Sequence, residues 1–318
     1  MSAIAAIWAS VSLLAASDPA SAQTTSDDAT AVEDIIVDGR RLEELARSYV
    51  EQLSYPPPGA SLARWNRPIC LSISNMLPEL AQFVIDRVAI NALEAGVDVG
   101  GPGCKPNVII FATSDGQALA RRLVSEFSLG FRPAAQHTNP PRAALREFQN
   151  SEQPVRWWNV AIPLEATTGE IATRMHGDTM YPDGGPNPAA VRVRDGSRLR
   201  SNVRYDMAWT VIIIDMSKTN GVPLGVLADY VSMVSLAQVD PSADLTGQQT
   251  IMSLFHAGSS VRGLTSWDKD YLAALYSARP DRINPRSQEA AVTRSLIRQR
   301  RAEGDRDRAE SFDASDQP

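Results

Sequence analysis

The apolar positions along the chain change period several times, and the changes divide it into elements. Leu80, Phe83, Val84, Val88, Ala89, Ala92 and Leu93 recur at helical spacing, which predicts a helix over 78–95 with proline in its first turn and Gly96 past its end. Before it, Ile69 to Ile73 reads as a strand. After it, Val108-Ile109-Ile110-Phe111-Ala112 is a continuous apolar run of strand length. Strand, helix and strand in this order predict a parallel βαβ crossover. Asp115 is placed to cap a further helix ending near Phe127, and the proline-bearing stretch from Phe131 to Gln153 reads as irregular. Val155 to Ile162 predicts another strand. Its Trp157-Trp158 pair points to opposite faces, so at most one of the two is expected in the core.

Further along, Met180 to Pro188 is a Gly/Pro/Asn loop, and Val191–Arg194 with Val203–Asp215 predicts a hairpin. Its second strand ends in Val211-Ile212-Ile213-Ile214, an apolar run that suits a central position. Leu224, Leu227, Val231, Val234 and Gln238 mark one stripe of a helix stopped by Asp240-Pro241. Ile251 to Phe255 is a shorter helical run, and Thr265 can cap a helix carrying Leu272, Leu275 and Tyr276. Nearer the N-terminus, Ile35-Ile36-Val37 is β-prone, while Leu42, Leu45, Ala46, Tyr49, Val50 and Leu53 follow helical spacing up to Pro56-Pro57-Pro58-Gly59. The pattern predicts a polar leader, short helix and proline-rich linker over 23–60, one globular α+β domain over 61–286, and a charged, largely disordered tail over 287–318. The fold class expected is α+β, a mixed twisted sheet with packed helices in a single domain.

Residues 1–22 change the picture of where the protein works. Ile4 to Ala16 is an apolar run too short to span a bilayer, and Ala20-Ser21-Ala22 follows it as a small-residue cleavage site. This reads as a signal peptide, although only the amino group of Met1 supplies positive charge ahead of it. The expected product is periplasmic or secreted and soluble, without stable membrane insertion after cleavage. Cys70 and Cys104 are the two cysteines of the chain, and an even count in an oxidising compartment predicts a disulfide. The net charge of −6 over 318 residues gives no reason to expect nucleic acid as a partner.

Candidate chemistry is sparse. His137, His176 and His256 are the three histidines, and none stands in a helical metal-ligand pair. The chain has no G-x-S-x-G elbow, and Gly100-Gly101-Pro102-Gly103 precedes a strand instead of opening a helix, which disfavours phosphate binding. No cofactor is implied. Asp215, at a strand end, and Asp229, expected on the exposed side of the following helix, are the carboxylates placed to share a groove. Arg192 and Arg194 lie on one face of the predicted hairpin near Arg198, Arg200 and Arg204, a set that can hold an anion or simply face solvent beside Asp195 and Asp206. The solvated face is the favoured reading.

Leu227-Ala-Asp-Tyr-Val-Ser-Met-Val-Ser-Leu-Ala-Gln238 and Gly263-Leu-Thr-Ser-Trp-Asp-Lys-Asp-Tyr-Leu-Ala-Ala-Leu-Tyr276 resemble an uncharacterised family of exported bacterial proteins, itself distantly similar to the zincin metallopeptidases. The resemblance covers about 60–280 and implies a zincin-like fold in which the helix after Val203–Asp215 stands where zincins carry their metal ligands. On that frame the ligand positions are Ala228 and Ser232 and the general-base position is Asp229, so the zinc-binding pattern is lost and no catalytic or metal role carries over.

These observations favour a non-catalytic binding or structural protein of the cell envelope whose partner is an unknown envelope protein or ligand. Two alternatives stand beside it. One is a hydrolase with an unrecognised site. The other is an interaction partner acting through its N-terminal segment, because Asp34-Ile-Ile-Val-Asp-Gly-Arg40 resembles the short box by which outer-membrane transporters pair with their energising protein through strand addition.

Overall fold

The apolar runs that read as strands assemble side by side, and the helices between them cover both faces of the resulting sheet. A computed structural model describes residues 27–57, 59–133, 140–173, 189, 191, 196 and 199–315, without the side chains of 27–39 and 305–315. Residues 1–22, which read as a signal peptide, His137, His176, Arg192, Arg194 and most of the predicted hairpin strand at 191–194 lie outside the described residues. Contacts divide the chain into two units, Met1–Arg41 and Leu42–Pro318. The first contains the opening turns of α1 (Asp27–Leu53), and the second contains its last turns and every other element.

In chain order the second unit continues with β1 (Leu71–Ser74), α2 (Pro78–Glu94), β2 (Val108–Thr113), α3 (Gly116–Glu126), α4 (Ser128–Phe131), α5 (Arg142–Asn150), β3 (Val155–Glu165), β4 (Val203–Asp215), α6 (Leu224–Leu236), α7 (Ser266–Ser277) and α8 (Pro285–Ser315). The sheet order is β1-β2-β4-β3. The pairs β1·β2 and β2·β4 are parallel, as the βαβ pattern predicts. β3 runs antiparallel to β4 at the edge, with an irregularity at Val160/Ala161. The molecule is thus a mixed α/β fold on a four-stranded mixed sheet. β4 is central, and its last six residues, Thr210 to Asp215, are all buried.

One face of the sheet packs against α2 and α6. There Trp157, Ile212 and Ile214 join Val84, Val88, Val231 and Val234 in the main core. The opposite face forms a second core of Ala120, Val124, Phe131, Phe148, Trp158 and Ile213 under α3, α4 and α5. Both tryptophans are therefore buried, at 6% and 4% exposure, contrary to the expectation of at most one. That expectation took the sheet to be covered on one side. Because helices cover both, each indole is enclosed, and each N–H finds a carbonyl: Trp157 at Val239 O (3.1 Å) and Trp158 at Phe131 O (2.7 Å).

Helix α5 falls in the stretch that read as irregular. Prolines dominate that stretch, yet Pro141 stands at the N-cap of α5, where its missing N–H costs nothing, and Ala144, Leu145 and Phe148 supply the apolar face. Ile35-Ile36-Val37 is helical within α1, as is the segment from Asp34 to Arg40. The helix penalty of a β-branched residue is only about 0.5 kcal/mol, too small to stop α1 there. The last turns of α1 are held by Tyr49, whose hydroxyl donates to buried Asp268 on α7 at 2.7 Å. Asp268 also accepts from Thr250 Oγ1 (2.6 Å) and Ile251 N (2.7 Å), and closes the capping box that Thr265 begins. Helix α8 occupies most of the stretch expected to be a largely disordered tail, because Val292 and Leu296 recur at helical spacing and are buried in the main core.

Cys70 and Cys104 form the disulfide, with Cα atoms 6.0 Å apart. It ties the residue preceding β1 to the loop preceding β2. Asn107 reinforces the same junction by accepting from Cys70 N at 2.7 Å. Gly100 makes room for the bridge, since a Cβ there would lie 2.9 Å from Sγ of Cys104. Among the described residues, no helix is long and apolar enough to cross a membrane.

Candidate functional site

Helix α6 is apolar around nearly its whole circumference, and every residue from Val226 to Leu236 is buried. Its polar exceptions, Asp229, Ser232 and Ser235, are three residues apart and share one line. α2 meets that line with Arg87 and Asn91. Asp229 is 1% exposed, so it does not stand on an exposed side of the helix as the single apolar stripe implied. Arg87 grips its carboxylate in a bidentate pair, Nε to Oδ1 at 2.6 Å and Nη2 to Oδ2 at 2.9 Å. Asn91 Nδ2 donates to Asp229 Oδ1 (2.9 Å) and to Ser232 Oγ (2.8 Å), and Leu264 N donates to Asp229 Oδ2 (3.2 Å). Burial alone would raise the Asp229 pKa, but Arg87, Asn91 and the Leu264 N–H outweigh it and hold the carboxyl below its usual range. Ser232 Oγ turns back to Ala228 O at 2.8 Å, and Ala228 is wholly buried. Donors already surround the Asp229 carboxylate, and the group ties α2, α6 and the loop before α7 together.

Asp215 is engaged in a different place. Its carboxylate accepts from Ser217 Oγ (2.6 Å), Gly116 N (3.1 Å) and Ser217 N (3.2 Å), so it pins the start of α3 and the turn after β4. Burial opposes its ionisation, and these donors again win, leaving its pKa lowered. Asp215 and Asp229 are thus held by different partners, Gly116 and Ser217 in one case and Arg87, Asn91 and Leu264 in the other. Beside Asp215 lies Arg156, 2% exposed, whose Nη2 donates to Ser151 O at 2.9 Å. Burial lowers the Arg156 pKa, and the charges of Asp215, Glu152 and Asp115 oppose that shift. A Cβ on Gly116 would meet this guanidinium at 3.2 Å. Gly116→Ala is accordingly expected to destabilise the fold by about 1–2 kcal/mol in urea denaturation, despite the better helix propensity of alanine. An unchanged or increased midpoint would show that Arg156 can move aside.

The edge of the sheet carries the cleft that sequence reasoning missed. Asp215 N donates to Pro154 O, and Thr210 N points away from β3 to Asn107 O. In an antiparallel ladder this alternation turns Arg156, Trp158 and Val160 towards β4 and leaves the backbone N–H and C=O of Val155, Trp157 and Asn159 facing outwards. No strand pairs with that edge among the described residues. Along it runs a cleft of about 580 Å³, counting space open to solvent. One wall is Pro140, Ala144, Glu147 and Phe148, and the other is Tyr55, Gln238, Val239 and Pro241. A second hollow of about 330 Å³ shares Gln153, Trp157 and Pro241 with it and continues to Asp240, Phe255 and His256. Tyr230 lies under this line, stacked edge-on against Trp157 (6.0 Å) and Phe255 (5.1 Å). Burial and nearby Asp240 raise the Tyr55 pKa, so its phenol stays protonated at neutral pH.

Comparison with profiles of known protein families, with curated proteins and with solved structures returns no match.

Among the described residues, Ser151 is the one Ser, Thr or Cys that lines the cleft, and no histidine or carboxylate bonds its hydroxyl. Nor do the described residues contain a group of three or more His, Cys, Asp or Glu side chains with metal-holding geometry. The sequence signal nearest to the cleft is the Trp157-Trp158 pair, but local pattern does not show that these residues stand on an edge strand.

Proposed function

We propose that this protein is an exported, non-catalytic binding protein of the cell envelope, built on a scaffold that resembles a zincin peptidase without its metal site. Its binding site, on this reading, is the cleft along β3, which takes an extended polypeptide as an added strand. The observation that carries the reading is the outward backbone of Val155, Trp157 and Asn159 at the floor of an aromatic cleft. The scaffold resemblance draws support from three parallel strands, an antiparallel edge strand and a helix directly after β4. The non-catalytic character draws support from Asp229, which is enclosed by Arg87, Asn91 and Leu264 instead of facing a reactant. Export draws support from the Ala20-Ser21-Ala22 site and the disulfide.

The test is a titration of the full chain with a blocked octapeptide of alternating valine and threonine, followed by tryptophan fluorescence. The same peptide N-methylated on the alternate amides that would face β3 is expected to bind at least about tenfold more weakly, because each lost strand hydrogen bond costs about 1 kcal/mol. Equal binding of the two peptides would contradict strand addition. Metal analysis of the purified protein is expected to find substoichiometric zinc, and one zinc per chain would contradict the non-catalytic reading.

A further inference from the structure

We infer that the segment taken up by the β3 cleft is cationic, with two Lys or Arg side chains an odd number of positions apart, one reaching Glu147 and the other Asp240. The inference rests on the strand-addition reading and adds the chemistry of the occupant. Among the described residues, Glu147 and Asp240 are the two carboxylates that line the cleft and its continuation, and the one guanidinium there, Arg156, is sealed at 2% exposure. Glu147 is exposed on α5, and among the described residues neither carboxylate is in a salt bridge. Asp240 Oδ1 accepts from Ser242 in its own turn, through N at 2.8 Å and Oγ at 2.7 Å. The neighbouring cation Lys218 is committed to Glu152.

The spacing follows from the two walls. α5 lies on the Trp158 face of the sheet, where Phe148 packs against that indole at 6.0 Å. Asp240 follows Val239, whose carbonyl receives the Trp157 indole on the other face. A strand added beside β3 sends successive side chains to opposite faces, so residues addressing Glu147 and Asp240 differ by an odd number. Between them the apolar residues of the same segment meet Phe148 on one face and Trp157 with Pro241 on the other. An acidic segment would bring like charges to both walls.

Three blocked octapeptides of alternating valine and threonine test this on the full chain. One carries lysines three positions apart, one carries glutamates at those positions, and one carries lysines two positions apart. The first is expected to bind about tenfold more tightly than the second at low salt, since two partly exposed pairs contribute about 0.7 kcal/mol each. The advantage shrinks in 0.5 M salt, where screening falls to a few ångströms. The third should lose about half of that advantage on a logarithmic scale. In Glu147→Gln/Asp240→Asn the first and second peptides should bind within about twofold of each other. Asparagine at 240 keeps the acceptor for Ser242, so the turn is retained. Equal or tighter binding of the glutamate peptide, or a lysine preference that survives the double variant, would overturn the inference and leave strand addition standing. Failure of all three to bind, together with failure of the uncharged parent, would overturn the cleft reading itself.

Discussion

Asp229→Ala is expected to lower the unfolding free energy by about 3 kcal/mol, because it deprives several donors at once. Arg87 loses a bidentate partner, Asn91 is left buried with one of its two side-chain bonds, and the Leu264 N–H loses its acceptor. The figure stays at the lower end for a broken ion pair because the Arg87 side chain is 45% exposed and can turn to water. Glycine at 263 belongs to the same arrangement, since a Cβ there would lie 2.8 Å from Asp229 Oδ2, at a φ of 159°. The lock also has a pH signature. The Asp229 pKa is depressed in the folded state, so its stabilisation is fully present above the unfolded carboxyl value, about 4, and is lost as pH falls through the folded value. The stability gap between wild type and Asp229→Asn should therefore be constant from about pH 8 to pH 5 and shrink below about pH 4. Urea denaturation across that range checks it. A variant as stable as wild type would mean that the carboxylate is kept for some purpose other than holding α2 to α6.

Reduction of the Cys70–Cys104 bridge should cost a similar amount, about 3–4 kcal/mol for a closed loop of this size. The cost arises mainly in the unfolded chain, which regains the freedom of the segment containing α2. Cys70→Ser/Cys104→Ser should match the reduced wild type in denaturation midpoint, and reductant should leave the double variant unchanged. The parallel register of β1 on β2 gives a reason for the native geometry to survive, since Asn107 also bonds both Cys70 N and Pro68 O across the same junction. A reduced protein as stable as the oxidised one would remove the disulfide from any account of the fold's stability.

Much of the secondary structure could be read from the sequence because it depends on local pattern. Helix α2 keeps its apolar period and its N-terminal proline, α3 takes Asp115 as its cap, α7 takes Thr265, and Val211 to Ile214 lie in a central strand. What failed locally was the stretch containing α5, where prolines masked the face formed by Ala144, Leu145 and Phe148. The environment of Asp229 was hidden for a different reason. Arg87 stands 142 positions away, and one sequence carries no signal that joins the two. A closer reading of α6 would have helped, because Val226, Leu227, Tyr230, Val231, Met233 and Val234 leave no broad polar face on which an exposed aspartate can sit. The cleft was illegible for the same long-range reason. It exists because β3 is an edge strand and because α5 and the Gln238–Pro241 segment rise on either side of it. Arg192 and Arg194, weighed as an anion site, lie outside the described residues.

The proposed strand-adding edge is tested most directly by amide hydrogen exchange at single-residue resolution on the full chain, with and without saturating lysine octapeptide. The outward N–H groups of Trp157 and Asn159 should exchange fast in the free protein and slow by about tenfold or more when peptide is bound. Those of Trp158 and Val160, already bonded to β4, should be slow in both states. Exchange at Trp157 and Asn159 that does not change on peptide binding would contradict the account, because the peptide would then be held without adding a strand to β3.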